Sequence, residues 1–136
     1  MKHLAMDPKV QNLLAGCTLK SGASPETLAE LTVAMPVELP IDYLSFLSWS
    51  DGLDGFVGEN YLILYSAEEV RTLGVCEYWP PFIVIGSDGG GEAFAYDTRS
   101  ADMPIVNIPF IGVDEPPRLL GWSFVEFLDL LHRRLF

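Results

Sequence analysis

The chain has 136 residues, 49% of them hydrophobic, and a formal net charge of −11. That length fits one domain, able to bury roughly two thirds of the surface its unfolded form exposes, and the hydrophobicity excludes a disordered chain. The charge argues against nucleic acid and anionic lipid as partners, and no apolar run nears the roughly 20 residues of a membrane helix. Near the N-terminus, Asp7, Pro8 and Lys9 interrupt any apolar run. No secretory signal core forms there, so a cytoplasmic location is expected.

Asp7-Pro8 reads as an N-cap with proline at the first helical position. Val10, Leu13 and Leu14 share a face, and Gly16 can end the helix. A polar linker, Lys20 to Ala23, follows. Ser24-Pro25 starts a second helix with the stripe Leu28, Leu31 and Met35, stopped by Pro36. Leu39-Pro40 opens a third, with Ile41, Leu44 and Leu47 on one face, Tyr43 and Phe46 beside it, and Asp51-Gly52 at its end.

From Tyr61 the period changes. Tyr61 to Tyr65 reads as a buried strand, and Ser66 to Glu69 as a capping box opening a short helix toward Gly74. Strands follow at Phe82 to Ile85, Glu92 to Asp97 and Ile105 to Ile111. Pro104 and Pro109 lack donors, which places the last of these at an edge or at a bulge. The closing helix has Ser123 and Glu126 as a capping box, and Trp122 and Phe127 at staple positions. Its buried stripe is Phe124, Phe127, Leu128, Leu131 and Leu135, and Arg133 and Arg134 suit its C-terminal dipole. Helices, then strands with a helix, then a closing helix give an α+β fold.

No catalytic, cofactor or metal residues are assigned. Ile85 to Glu92 is glycine-rich but has no Lys and leads into a strand, so it reads as a tight antiparallel connection rather than a phosphate loop. Asp51 to Glu59 misses EF-hand spacing and reads as a helix end followed by turns. His3 and His132, the only histidines, are not near a nucleophile signature in sequence, and no Cys/His set for zinc is present. Cys17 and Cys76 read as two reduced thiols. Trp49, Trp79 and Trp122 read as core or staple residues.

The signal that stands out is charge. Between Lys20 and Arg71 lie nine carboxylates and no Lys or Arg. A surface this one-sided attracts basic partners, although solubility alone could also account for it.

Leu39-Pro40-Ile41-Asp42-Tyr43-Leu44-Ser45-Phe46-Leu47, ending in Ser50-Asp51-Gly52, resembles the signature of the SUKH superfamily, the Smi/Knr-like domains. Ile83 to Asp97 is similar to the family's strand, Gly loop and strand, and Ser123 to Leu128 to its closing helix. Asp51-Gly52 stands where Asn-Gly is usual. The resemblance implies a mixed, mainly antiparallel sheet of about four to six strands flanked by helices. It divides the chain into an N-terminal helical extension, 1–22, and a single domain, 23–136. It also implies a non-enzymatic bacterial immunity-type protein that neutralises a toxin through protein contacts.

With the acidic balance, the expected partner is a basic toxin domain. Asp51, Asp54, Glu59, Glu68 and Glu69, near predicted turns and a helix start, are the candidate contacts. A regulatory interaction module unrelated to toxins, and a small enzyme using clustered carboxylates, stay open as alternatives.

Overall fold

Side-chain caps set the helix starts. Asp7 accepts from the Lys9 N–H to open α1 (Pro8–Leu13), and Ser24 accepts from Thr27 to open α2 (Pro25–Ala34). Ser66 and Glu69 form the expected reciprocal capping box of α4 (Ala67–Glu69), which continues as one π-helical turn, Val70–Gly74. Ser123 caps α5 (Phe124–Arg133). Glu126, however, reaches back to the Trp122 N–H at 3.2 Å rather than to that of Ser123. Trp122 stays 54% exposed while Phe127 is fully buried.

The computed structural model describes residues 6–75, 81–109 and 116–134. His3, Cys76, Trp79, the expected strand end at Phe110 and Ile111, and Leu135 lie outside them.

α3 (Ile41–Trp49) starts after Pro40 and ends in an extended Ser50. Its buried stripe is rotated from the expected one. Tyr43, Phe46 and Leu47 are fully buried, and Ile41 is 60% exposed. A nine-residue helix cannot bury both stripes, and the two aromatic rings remove more apolar surface from water. Gly52 sits beyond the helix end with φ +89, in the left-handed region that favours glycine.

Seven strands form one antiparallel sheet in sequential order: β1 (Cys17–Leu19), β2 (Leu53–Val57), β3 (Asn60–Leu64), β4 (Phe82–Ser87), β5 (Glu92–Asp97), β6 (Ile105–Pro109) and β7 (Arg118–Gly121). The fold is α+β, as expected, with more strands. Sequence reading missed β1, β2 and β7. The Asp51 to Glu59 segment contains β2 and the two-residue turn to β3, where Val57 pairs with Asn60, rather than a succession of turns. β6 is interior, between β5 and β7, not an edge; its register shifts between Ile105 and Val106, as a bulge would require. The Gly-rich segment makes the expected tight connection. The Asp88 carboxylate accepts from the N–H groups of Gly90 and Glu92, and Gly89 has φ +80.

The two sheet faces differ. Buried side chains of all five helices join Leu53, Leu62, Leu64, Phe94 and Tyr96 in one core. Its centre is aromatic: Phe124 lies 5.1 Å from Phe46 and 5.8 Å from Tyr43, ring centre to ring centre. Asp42 ties this centre together. One carboxylate oxygen accepts from the Tyr43 N–H and the other from the Phe124 N–H at 2.9 Å, where α5 begins. The hydroxyls of Tyr43 and Tyr96 are buried without a hydrogen-bond partner, and burial raises the pKa of both. On the opposite, outer face, Phe82, Val84, Ala93, Ala95, Val106 and Ile108 form a second buried cluster built from strand residues, with Tyr65 packed against it.

β3 and β4 pair through Ile63↔Ser87 and Leu64↔Gly86, fewer register pairs than β2–β3 or β4–β5 have. Beyond that seam the β2–β3 hairpin diverges from the β4–β5 connection.

Candidate functional site

Seven of the nine carboxylates between residues 21 and 70 are exposed, so their field reaches solvent; Asp42 and Asp51 are half-buried. The five candidate contacts divide into two groups. At the start of α4, Asp51 accepts from the Ala67 N–H at 2.7 Å, and Glu69 accepts from the Ser66 N–H at 2.9 Å. Glu68 binds Arg71 through two contacts, 2.6 and 3.2 Å. These three organise the helix end, where carboxylates suit the dipole. Asp54 and Glu59 lie apart from them, on β2 and in the β2–β3 turn. Both are exposed, and neither enters the three ion pairs found among the described residues, Glu68–Arg71, Asp97–Arg99 and Asp129–Arg133.

Strand alternation determines what surrounds Asp54. Leu53 and Val57 point into the helix-covered core, so Asp54 and Phe56 point to the outer face. Asp54 is paired across β3 with Ile63, and Phe56 with Tyr61. Tyr61 and Ile63 are half-buried, not fully buried as the apolar run suggested. Phe56 is 57% exposed, and its ring meets Tyr61 edge-on at 5.1 Å. An exposed aromatic pair therefore stands between Asp54 and Glu59. Sequence reasoning missed it because two glycines within Leu53–Gly58 obscured the in-out alternation. The signal was present: Leu53 and Val57 against Asp54 and Phe56, followed by the Gly58-Glu59 turn. Asp54 is felt on β1, where burial first and the Asp54 charge second raise the pKa of Cys17.

Where the hairpin diverges from the β4–β5 connection, a cleft of about 290 Å³ opens. It is lined by Glu59, Tyr61, Asp88 and Glu92 among others. Asn60 closes its base by donating to the backbone carbonyls of Leu131 and Arg134 at the end of α5.

At the other end of the outer face, Arg99 grips Asp97 with Nε–Oδ1 at 3.0 Å and Nη2–Oδ2 at 2.8 Å. Its guanidinium carbon lies 5.1 Å from the centre of the Phe82 ring. Hydrogen bonding from Arg99 lowers the Asp97 pKa, partly opposed by burial. Ionised Asp97 therefore contributes stability above the ordinary carboxyl value of 3.8, and that contribution is lost as pH falls through the lower folded value. Asp97→Asn is expected to cost about 1–2 kcal/mol at neutral pH, limited because Arg99 is largely exposed and screened. Unfolding titrations of both proteins should converge toward about pH 2. A deficit that persists unchanged there would contradict this account.

Among the described residues, no group of three His, Cys, Asp or Glu side chains is placed to hold a metal ion. His132 is exposed in the last turn of α5. No described helix is long and apolar enough to cross a membrane. The geometry offers a charged, ring-centred surface rather than converging acid, base and nucleophile.

The sequence profile of the SMI1 / KNR4 family (SUKH-1) matches residues 22–130. The chain belongs to the SUKH-1 family. No curated protein matches the chain significantly. The matched part of this SUKH-1 chain runs from the approach to α2 into α5 and takes in Asp54, Phe56, Glu59 and Tyr61. It begins after α1 and β1, although Val10 and Leu14 join the common core and β1 pairs with β2. Membership fits a protein-interaction domain.

Proposed function

We propose that this SUKH-1 chain is a non-enzymatic binding protein of the immunity type, which neutralises a cognate toxin domain by covering a basic surface on it. The supporting observation is the one-sided charge: fifty consecutive residues carry nine carboxylates and no Lys or Arg, and seven of the nine are exposed. Toxins that act on nucleic acid present basic surfaces, and an acidic inhibitor both masks such a surface and gains association rate by electrostatic steering, by roughly ten- to a thousand-fold. Of the five candidate contacts, Asp54 and Glu59 are offered as direct ones. Asp51, Glu68 and Glu69 add to the field while organising α4.

The test is co-expression and pull-down with the protein encoded beside this gene. Protection of the host cell and capture at low salt, weakening as salt rises, are the expected results. Capture without protection would point to a regulatory interaction instead, and neither result would sink the proposal.

A further inference from the structure

Resting on the reading that the partner is a basic protein, we propose that the Phe56–Tyr61 ring pair on the outer face of the β2–β3 hairpin is a seat for an arginine side chain of that partner. The guanidinium would lie over the exposed Phe56 ring and pair with Asp54 or Glu59.

Three observations support it. Phe56 is more than half exposed, yet its ring is steadied by edge contact with Tyr61, so the face is pre-organised rather than floppy. Asp54 sits two positions along the same strand on the same face, and Glu59 sits in the adjoining turn. Neither belongs to any ion pair among the described residues, so ring and carboxylates offer complementary charge to an incoming cation. The same sheet face also carries an internal precedent: Arg99 lies over Phe82 while binding Asp97 with two contacts. There the chain supplies its own arginine; at the hairpin it supplies ring and carboxylates without one. Arginine is favoured over lysine because its planar, weakly hydrated guanidinium stacks on a ring and bridges a carboxylate together.

The test uses the full chain, isotopically labelled, titrated with a hexa-arginine peptide and with a hexalysine peptide at moderate salt, and read by amide chemical shifts. Shifts should centre on residues 54–63, and hexa-arginine should bind about three-fold tighter than hexalysine. Phe56→Leu, a change at an exposed site, should abolish that preference while leaving hexalysine binding intact. Asp54→Asn should weaken both peptides. Shifts spread evenly over the carboxylates of α2, α3 and α4, no binding by either peptide, or an arginine preference that survives Phe56→Leu would overturn the seat. The two readings fail separately. A toxin bound equally well by wild type and Phe56→Leu removes the seat and leaves the immunity role, whereas peptide mapping to the hairpin without any protein partner does the reverse.

Discussion

Phe124→Ala is expected to be the most damaging single truncation, lowering stability by about 4 kcal/mol. Phe124 is fully buried, and its ring centre stands 5.1 Å from that of Phe46, 5.8 Å from Tyr43 and 6.3 Å from Phe127. Those rings come from two helices, α3 and α5, so one truncation loosens the junction where both meet the sheet. The backbone of Phe124 is fixed as well, because its N–H donates to Asp42 on α3. With α5 anchored, neighbouring rings cannot collapse fully into the space left, and the cavity contribution adds to the lost transfer energy. Thermal unfolding should shift down by about 15 °C for a chain of this size. Phe124→Leu should cost about half as much. A loss below about 1 kcal/mol for the alanine variant would mean that this aromatic centre is not the core of the fold.

Gly86→Ala is expected to cost about 3 kcal/mol by a different route. A Cβ at Gly86 would lie 2.1 Å from the backbone carbonyl oxygen of Ile63, a distance real atoms do not share. The obstacle is backbone, so the strands themselves must part. They would part at the β3–β4 seam, where Leu64 pairs with Gly86 beside Ile63↔Ser87. The half of the sheet that carries Phe56 and Tyr61 hangs on that seam, so the variant should also disturb the hairpin's amide shifts. Gly91→Ala is the control. No atom lies within 4 Å of its would-be Cβ, and its effect should stay within about 0.5 kcal/mol. Equal effects at the two positions would contradict the close-packed seam.

The fold was legible where local chemistry is strong. Asp7, Ser24, Ser66 and Ser123 mark helix starts through their side chains, and each does cap a helix. Glu92–Asp97 alternates aromatic against alanine because its two faces meet two different apolar clusters, and that strand was found with its full bounds. β1 and β7 were missed because three and four residues carry too little pattern; what holds them is pairing with strands distant in sequence or already formed. The buried stripe of α3 was misjudged because aliphatic and aromatic residues offered two competing faces, and tertiary packing chose between them.

The candidate site was half legible. Charge pointed to the region, and Asp54 and Glu59 do lie exposed there. Charge could not separate them from Asp51, Glu68 and Glu69, whose partners are backbone amides and Arg71, because capping depends on geometry rather than on residue type. The ring pair depended on recognising β2, since Phe56 and Tyr61 become neighbours only through antiparallel register.

The account rests on an acidic exterior that recruits a cationic protein. The most direct measurement is the association rate constant with the toxin domain encoded beside this gene, followed as ionic strength rises, for wild type and for Asp54→Asn/Glu59→Gln. The expected result is a steep fall for wild type, by at least about ten-fold between low and physiological salt, with a shallower slope for the double variant. A rate indifferent to salt, or identical slopes for the two proteins, would contradict it.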